Sequence, residues 1–259
     1  ASLTTTQLRG LTATDIGELA ATQLAGLSAT QAGSLSATAF SALDATQVGA
    51  LTTTQVRGVT ATQIAGLSTT DITEFSSTQV GALTNTQLGS LSVTNLGTLD
   101  VTQIGGLTST QVGGLSVAKL SALDGTQVGA LTTTQIGGVT TTQISSLNAT
   151  DMGELLDTQL GAMTSTQLRA ITATNLSALE STQVSGLSST QIASLTTTQV
   201  RGLSATDIGE LAATQLAGLT ATQVGSLTAT AFSALDSTTV SALTTTQVRA
   251  LTTTQIGGL

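Results

Sequence analysis

Leu51-Thr52-Thr53-Thr54-Gln55-Val56-Arg57-Gly58 is one of thirty-two octapeptides that follow one another from residue 3 to residue 258 without an inserted or deleted residue. A fixed short period of this kind is the mark of a solenoid or fibre, in which each unit buries its apolar face only against neighbouring units. Numbering the octad from its Leu gives six kinds of position to explain. Position 1 is Leu almost everywhere, with Val59, Phe75, Val139, Met163 and Ile171 as apolar substitutes. Position 6 is apolar too, as in Leu8, Ile16, Val48 and Phe40, with Ala32 the smallest. Position 4 is Thr in every octad but the one that carries Ala118, and positions 7 and 8 are mostly Gly, Ala or Ser.

A single long helix does not fit this period. Eight residues overshoot two turns of a 3.6-residue helix by about 80°, so the apolar stripe would wind round the rod. The chain must therefore turn within every octad or every second octad. Position 2 is drawn mainly from Thr, Ser, Asp and Asn (Thr4, Ser28, Asp44, Asn148), and position 5 three residues later from Gln, Asp or Asn (Gln7, Asp15, Asn95). That spacing is a capping box, and in the same register positions 1 and 6 become the N′ and N4 residues of a hydrophobic staple. The expected fold is an all-α solenoid of very short capped helices, one per octad. Such helices are too short to stand alone, so packing between octads has to hold them. The alternative is a β-solenoid with two octads per coil, supported by abundant Thr, by Thr-x-Thr at positions 2 and 4, and by the absence of Pro, which a helix N1 site would tolerate. Strict in–out alternation fails for it, because the core positions are spaced by five and then three residues.

Composition narrows the function. The chain has no Cys, His, Trp, Tyr or Pro, which removes Cys and His catalysis, disulfides and imidazole or thiolate metal sites. A net charge of −8 from fourteen acids and six bases has the wrong sign for a polyanion-binding surface, so nucleic acid is not an expected partner. Thr, Ser and Gln interrupt every octad well short of the roughly 18 to 20 apolar residues of a membrane span. The chain opens in register at Ala1-Ser2-Leu3 with no basic-then-apolar leader, from which we expect either processing or a window of a longer protein. Residues 1–259 are read as one uninterrupted array and part of a longer one. Residues 9–27 (RGLTATDIGELAATQLAGL) recur almost unchanged at 201–219, as block duplication would produce, and neither terminus carries a polar capping repeat.

Written as Leu-[Ser/Thr]-x-x-Gln-[Ile/Val]-x-x, the motif resembles the octapeptide arrays of very large bacterial surface and secreted proteins, across essentially the whole chain. The resemblance implies an extracellular filament or adhesin stalk that works by self-association or end-to-end continuation. The chain uses more Thr and Gly than the Ala-rich versions of that motif.

No enzyme, cofactor, metal site or small-molecule ligand is expected. Asp15 with Glu18, Asp71 with Glu74, Asp151 with Glu154 and Asp207 with Glu210 could be read as weak calcium sites or as a glycosidase acid and base. Two carboxylates are too few ligands for the first, and the second needs a cleft that a regular stack does not offer; helix capping accounts for these residues more simply. Ice binding is the rival function, conditional on a flat β-face of threonines. The position-4 Thr is otherwise expected to be structural, with its methyl packed and its hydroxyl bonded locally. The position-5 Gln is expected to cap or to form a stacked amide ladder, and Arg9, Arg57, Arg169, Arg201, Arg249 and Lys119 to be solubilising surface charges.

Overall fold

A computed structural model describes residues 3–258. Among these it forms thirty-two helices and no strand, from α1 (Thr5–Arg9) to α32 (Thr253–Ile256), one helix per octad. The capped-helix solenoid is the fold, and the β-solenoid alternative is set aside. The chain divides into two compact units, Ala1–Gly138 and Val139–Leu259, each built in the same way.

Each helix has four to six residues and starts where the capping rule puts it. In α7 (Thr53–Gly58) the N-cap Thr52 is extended, with φ −72° and ψ 156°, and its hydroxyl accepts the Gln55 N–H. The helix cannot run on because position 1 is extended as well: Leu115, which closes α14 (Ser109–Gly114), has φ −67° and ψ 143°. Two successive extended residues, positions 1 and 2, thus form each corner. Four N-caps have no capping side chain: Ala20, Leu156, Glu180 and Ala212. There the N-cap N–H still donates to the position-5 Gln, at 2.8 Å for Ala20 and 2.9 Å for Ala212, so half of the box suffices.

Within each unit a helix stacks on the third helix along the chain. In the first unit α7 packs on α10 (Ser77–Ala82), α10 on α13 (Val101–Gly105) and α13 on α16 (Gly125–Ala130). In the second, α21 (Ser165–Ala170) packs on α24 (Ser189–Ser194) and α24 on α27 (Ala213–Gly218). One coil therefore takes three octads. The apolar pair fills its interior: Ile16, Val56, Ile104 and Ile208 at position 6 are fully buried, and Leu91 and Leu99 at position 1 nearly so.

Small residues at positions 7 and 8 let successive coils approach. A Cβ on Gly106, at position 8 of α13's octad, would lie 2.4 Å from the Ser77 carbonyl oxygen of α10. One on Gly58 would lie 2.4 Å from the Ala29 oxygen. No described residue has a positive φ, so close approach and not left-handed backbone requires these glycines. The same contact bears on the missing proline, since position 3 is the surface that position 8 of the next coil presses against. A pyrrolidine ring at Ser77 or Ala29 would enlarge a side chain already in that contact.

Position 4 departs from expectation. Its threonines are exposed in every octad, and among the described residues none makes a side-chain hydrogen bond within the chain. The methyl is not packed in the core because position 4 is the N2 site, which faces away from the stapled pair.

Neighbouring glycines test the close approach. Gly106→Ala should destabilise the chain by about 1–3 kcal/mol, because the clash is with backbone that cannot rotate away. Gly105→Ala, with nothing within 4 Å of the added Cβ, should be neutral or stabilising by up to about 1 kcal/mol. Thermal or urea unfolding of the two variants checks the ranking.

Candidate functional site

The arrangement repeated most often with full chemical use of its atoms is centred on the position-5 Gln. Gln55 is only 2% exposed, and its carboxamide uses all four of its hydrogen-bonding valences. Its Oε1 accepts from the Thr52 N–H at 2.8 Å and from the Thr52 hydroxyl at 3.0 Å. Its Nε2 donates to the Leu24 carbonyl at 2.7 Å and to the Leu27 carbonyl at 2.8 Å, in the preceding coil. Gln79 reaches Val48 and Leu51, Gln111 reaches Val80 and Leu83, and Gln199 reaches Leu168 and Ile171 at the same spacings of 31 and 28 residues. One acceptor is a last-turn helix carbonyl, the other the carbonyl of the extended corner residue. Both need an outside partner for full satisfaction when buried. Each of these Gln residues thus closes the N-terminus of its own helix and the C-terminal corner of the coil before. The amides do not stack on one another as a ladder; they bond to backbone.

Substitutions at position 5 show which half of that role each residue keeps. Asn95 and Asn175 are too short for both tasks: each donates to one corner carbonyl, Leu67 and Leu147, at 2.7 Å, and their helices lack the capping box. Asp15 keeps only the cap, accepting from the Thr12 N–H at 2.8 Å and hydroxyl at 2.7 Å, and these bonds hold its carboxyl below the ordinary range. Ala39 and Ala231 keep neither, and in both octads position 6 becomes Phe (Phe40, Phe232), which returns the lost volume beside them.

Lys119 corrects the reading of that residue as surface charge. It is 9% exposed, and its Nζ donates to the Gly89 carbonyl of the coil below in place of the Gln donor. Burial lowers its pKa from the ordinary lysine value. Arg57 and Arg169 are exposed but also reach across coils, Nε donating to Ala82 O at 3.4 Å and Ser194 O at 2.6 Å.

The aspartates of the acidic pairs cap helix N-termini, while the glutamates stand at the C-cap position. Asp71 accepts from the Ser68 N–H at 2.8 Å and Asp207 from the Ser204 N–H at 2.6 Å, while the partner glutamates Glu74 and Glu210 are helix C-caps. A hydroxyl thirty residues earlier completes each: Ser41 donates to Asp71 and Ser177 to Asp207. Sequence reasoning missed these serines, although Ser-Ala-Leu followed by an acid stands at both places, at residues 41–44 and 177–180. Burial alone would raise the Asp71 pKa, but hydrogen bonds from Ser41 and Ser68 outweigh it and the net shift is downward. Glu74 moves the other way, raised by burial and then by the charges of Asp71 and Asp44, and its Oε2 is buried without a hydrogen-bond partner. Among the described residues no three acidic side chains are grouped so as to hold a metal ion, and no helix is long and apolar enough to cross a membrane.

Residues 160–197 match the model of the ALTTAQ repeat family. A search of curated proteins returns no match. The chain is thus similar to a known tandem repeat over one stretch, and its array of short helices fits that likeness.

Four substitutions test the site. Gln111→Leu leaves the Leu83 carbonyl and the Thr108 N–H without their partner, while the Val80 carbonyl keeps the Leu83 N–H, and should cost about 2 kcal/mol or more at roughly 1–3 per buried orphan. Thr108→Ala, which leaves the Gln in place, should cost only about 1 kcal/mol; urea titration gives the comparison. Lys119→Gln should raise the unfolding temperature, because the amide restores the uncharged donor. For Glu74 the folded pKa is above the unfolded one, so its stabilising contribution is present below the unfolded pKa and lost as pH rises through the folded value. Glu74→Gln should therefore raise the unfolding temperature at pH 7, with the gain disappearing below about pH 4; calorimetry at both pH values decides it.

Proposed function

We propose that this chain is a structural spacer, a filament, fibre or adhesin-type stalk outside a bacterial cell, that works by self-association or by continuation of its array. One observation carries the reading. Within a unit the Gln clasp joins successive coils through the same atoms at the same spacing, as in Gln55, Gln79 and Gln111. An interaction that repeats by simple translation has no built-in end, which suits a length-setting element. The octads carry no insertion from which a catalytic cleft could be built, and the depressions between stacked helices, such as the one beside Ala173, Thr174 and Gly202, are open to solvent. The chain's function on this reading is mechanical: many weak, identical couplings in series and no mobile lid or ligand.

The water-organising alternative depends on a flat β-face. The described residues form helices, and no observation favours that alternative over the spacer.

Negative-stain electron microscopy of the purified chain, with surface labelling of intact cells that make it, tests the proposal. Elongated particles or fibres of uniform width and label on the cell exterior are the expected results. Globular particles of irregular outline, or label confined to the cell interior, would overturn it.

A further inference from the structure

The position-4 threonine is the most strictly kept residue of the octad, present in thirty-one of thirty-two, and in each of these its side chain is exposed and makes no hydrogen bond within the chain. Core positions 1 and 6 tolerate several apolar residues, and the cap at position 2 accepts Ser, Asp, Asn, Ala, Leu and Glu. Position 4 never becomes Ser, although Ser replaces Thr freely at positions 2 and 3. Whatever selects it needs the methyl as well as the hydroxyl. A modification of the hydroxyl alone would have no use for that methyl.

Because helix n stacks on helix n+3, these residues line up in ranks. Thr54, Thr78, Thr102 and Thr126 follow one another on α7, α10, α13 and α16 of the first unit, and all are exposed. Thr166, Thr190 and Thr214 do the same on α21, α24 and α27 of the second. Beside the ranks lie shallow open grooves between stacked helices, bordered by Thr30 with Gly33 and Gly58, by Thr38 with Gly66, and by Thr174 with Gly202. A ridge of hydroxyls and methyls next to a groove lined mostly by small residues is the geometry of ridge-into-groove packing.

We infer that the position-4 ranks are a lateral association surface whose partner is a second copy of this chain. The constraint covers the whole array, so the partner must itself repeat with the coil; a partner of any other shape would touch a few octads and leave the rest free to vary. A second copy has the matching period by construction. The chemistry is self-complementary as well, since each hydroxyl both donates and accepts and the rank carries no charge to repel its like. This deepens the fibre reading above: the Gln clasp sets length, and the threonine ranks set width.

The test replaces Thr54, Thr78, Thr102 and Thr126 together by Ser in the full chain, and separately by Val. Light scattering and electron microscopy then measure lateral association, while circular dichroism and thermal unfolding measure the fold. The wild type should bundle side by side, and both variants should need about tenfold or more higher concentration to do so, with helicity and unfolding temperature unchanged. Bundling unchanged in both variants, a wild type that never bundles, or loss of helix in the variants would each overturn the inference. So would rank-dependent binding to ice or to a polysaccharide with no association between copies. Fibre length is read independently of width, so failure of the spacer reading shows as short or globular particles and failure of this one as long unbundled ones.

Discussion

A buried carboxamide with all four hydrogen-bonding valences filled is the interaction on which this structure depends. A helix of five residues has almost no interior: nearly every N–H and C=O belongs to an end. Left to itself it would not form, because so few internal bonds cannot offset the ordering of the backbone. The position-5 Gln removes that difficulty at two places at once. Its oxygen takes the N-cap N–H of its own helix, and its nitrogen gives both protons to carbonyls of the coil beneath, as Gln55 does with Thr52, Leu24 and Leu27. No other side chain at that position does both: Asp15 caps without donating, and Asn95 donates without capping.

The rest follows from keeping that amide in reach. Coils must lie close enough for a side chain to span them, which is why Gly58 and Gly106 face backbone at distances that admit no Cβ. The apolar pair at positions 1 and 6 fills the space enclosed by three octads, and its substitutions stay apolar while changing size. Charges appear where they meet the ends of helices, as in Asp44 and Asp100 at N-caps, or where a hydroxyl answers them, as Ser41 answers Asp71. The surface left over is uncharged over most of its extent and rich in threonine.

Local features of this architecture were legible in the sequence because they depend on neighbours within one octad. The capping box at positions 2 and 5, the staple at 1 and 6 and the small pair at 7 and 8 all follow from spacing alone, and the helices start where they say. The three-octad coil was not legible, since it is set by contacts spanning 24 to 31 residues that no local rule reports. One trace of it lay in the sequence, in Ser41 with Asp71 and Ser177 with Asp207, both thirty residues apart. Lys119 was misread because a lone lysine in a polar chain looks like surface charge. Its place at position 5 was the better guide, since that position points into the coil junction. The position-4 Thr is expected from its chemistry to pack its methyl and bond its hydroxyl locally, but residue type does not reveal which way a side chain faces.

The most direct test of the account is hydrogen exchange of the glutamine side-chain amides, followed residue by residue by nuclear magnetic resonance. Gln55, Gln79 and Gln111, whose Nε2 protons are held by two carbonyls each, should exchange far more slowly than Gln7 and Gln23, which are exposed. Equal and fast exchange at all five would show that the amides do not bind the coils together, and would contradict the account at its centre.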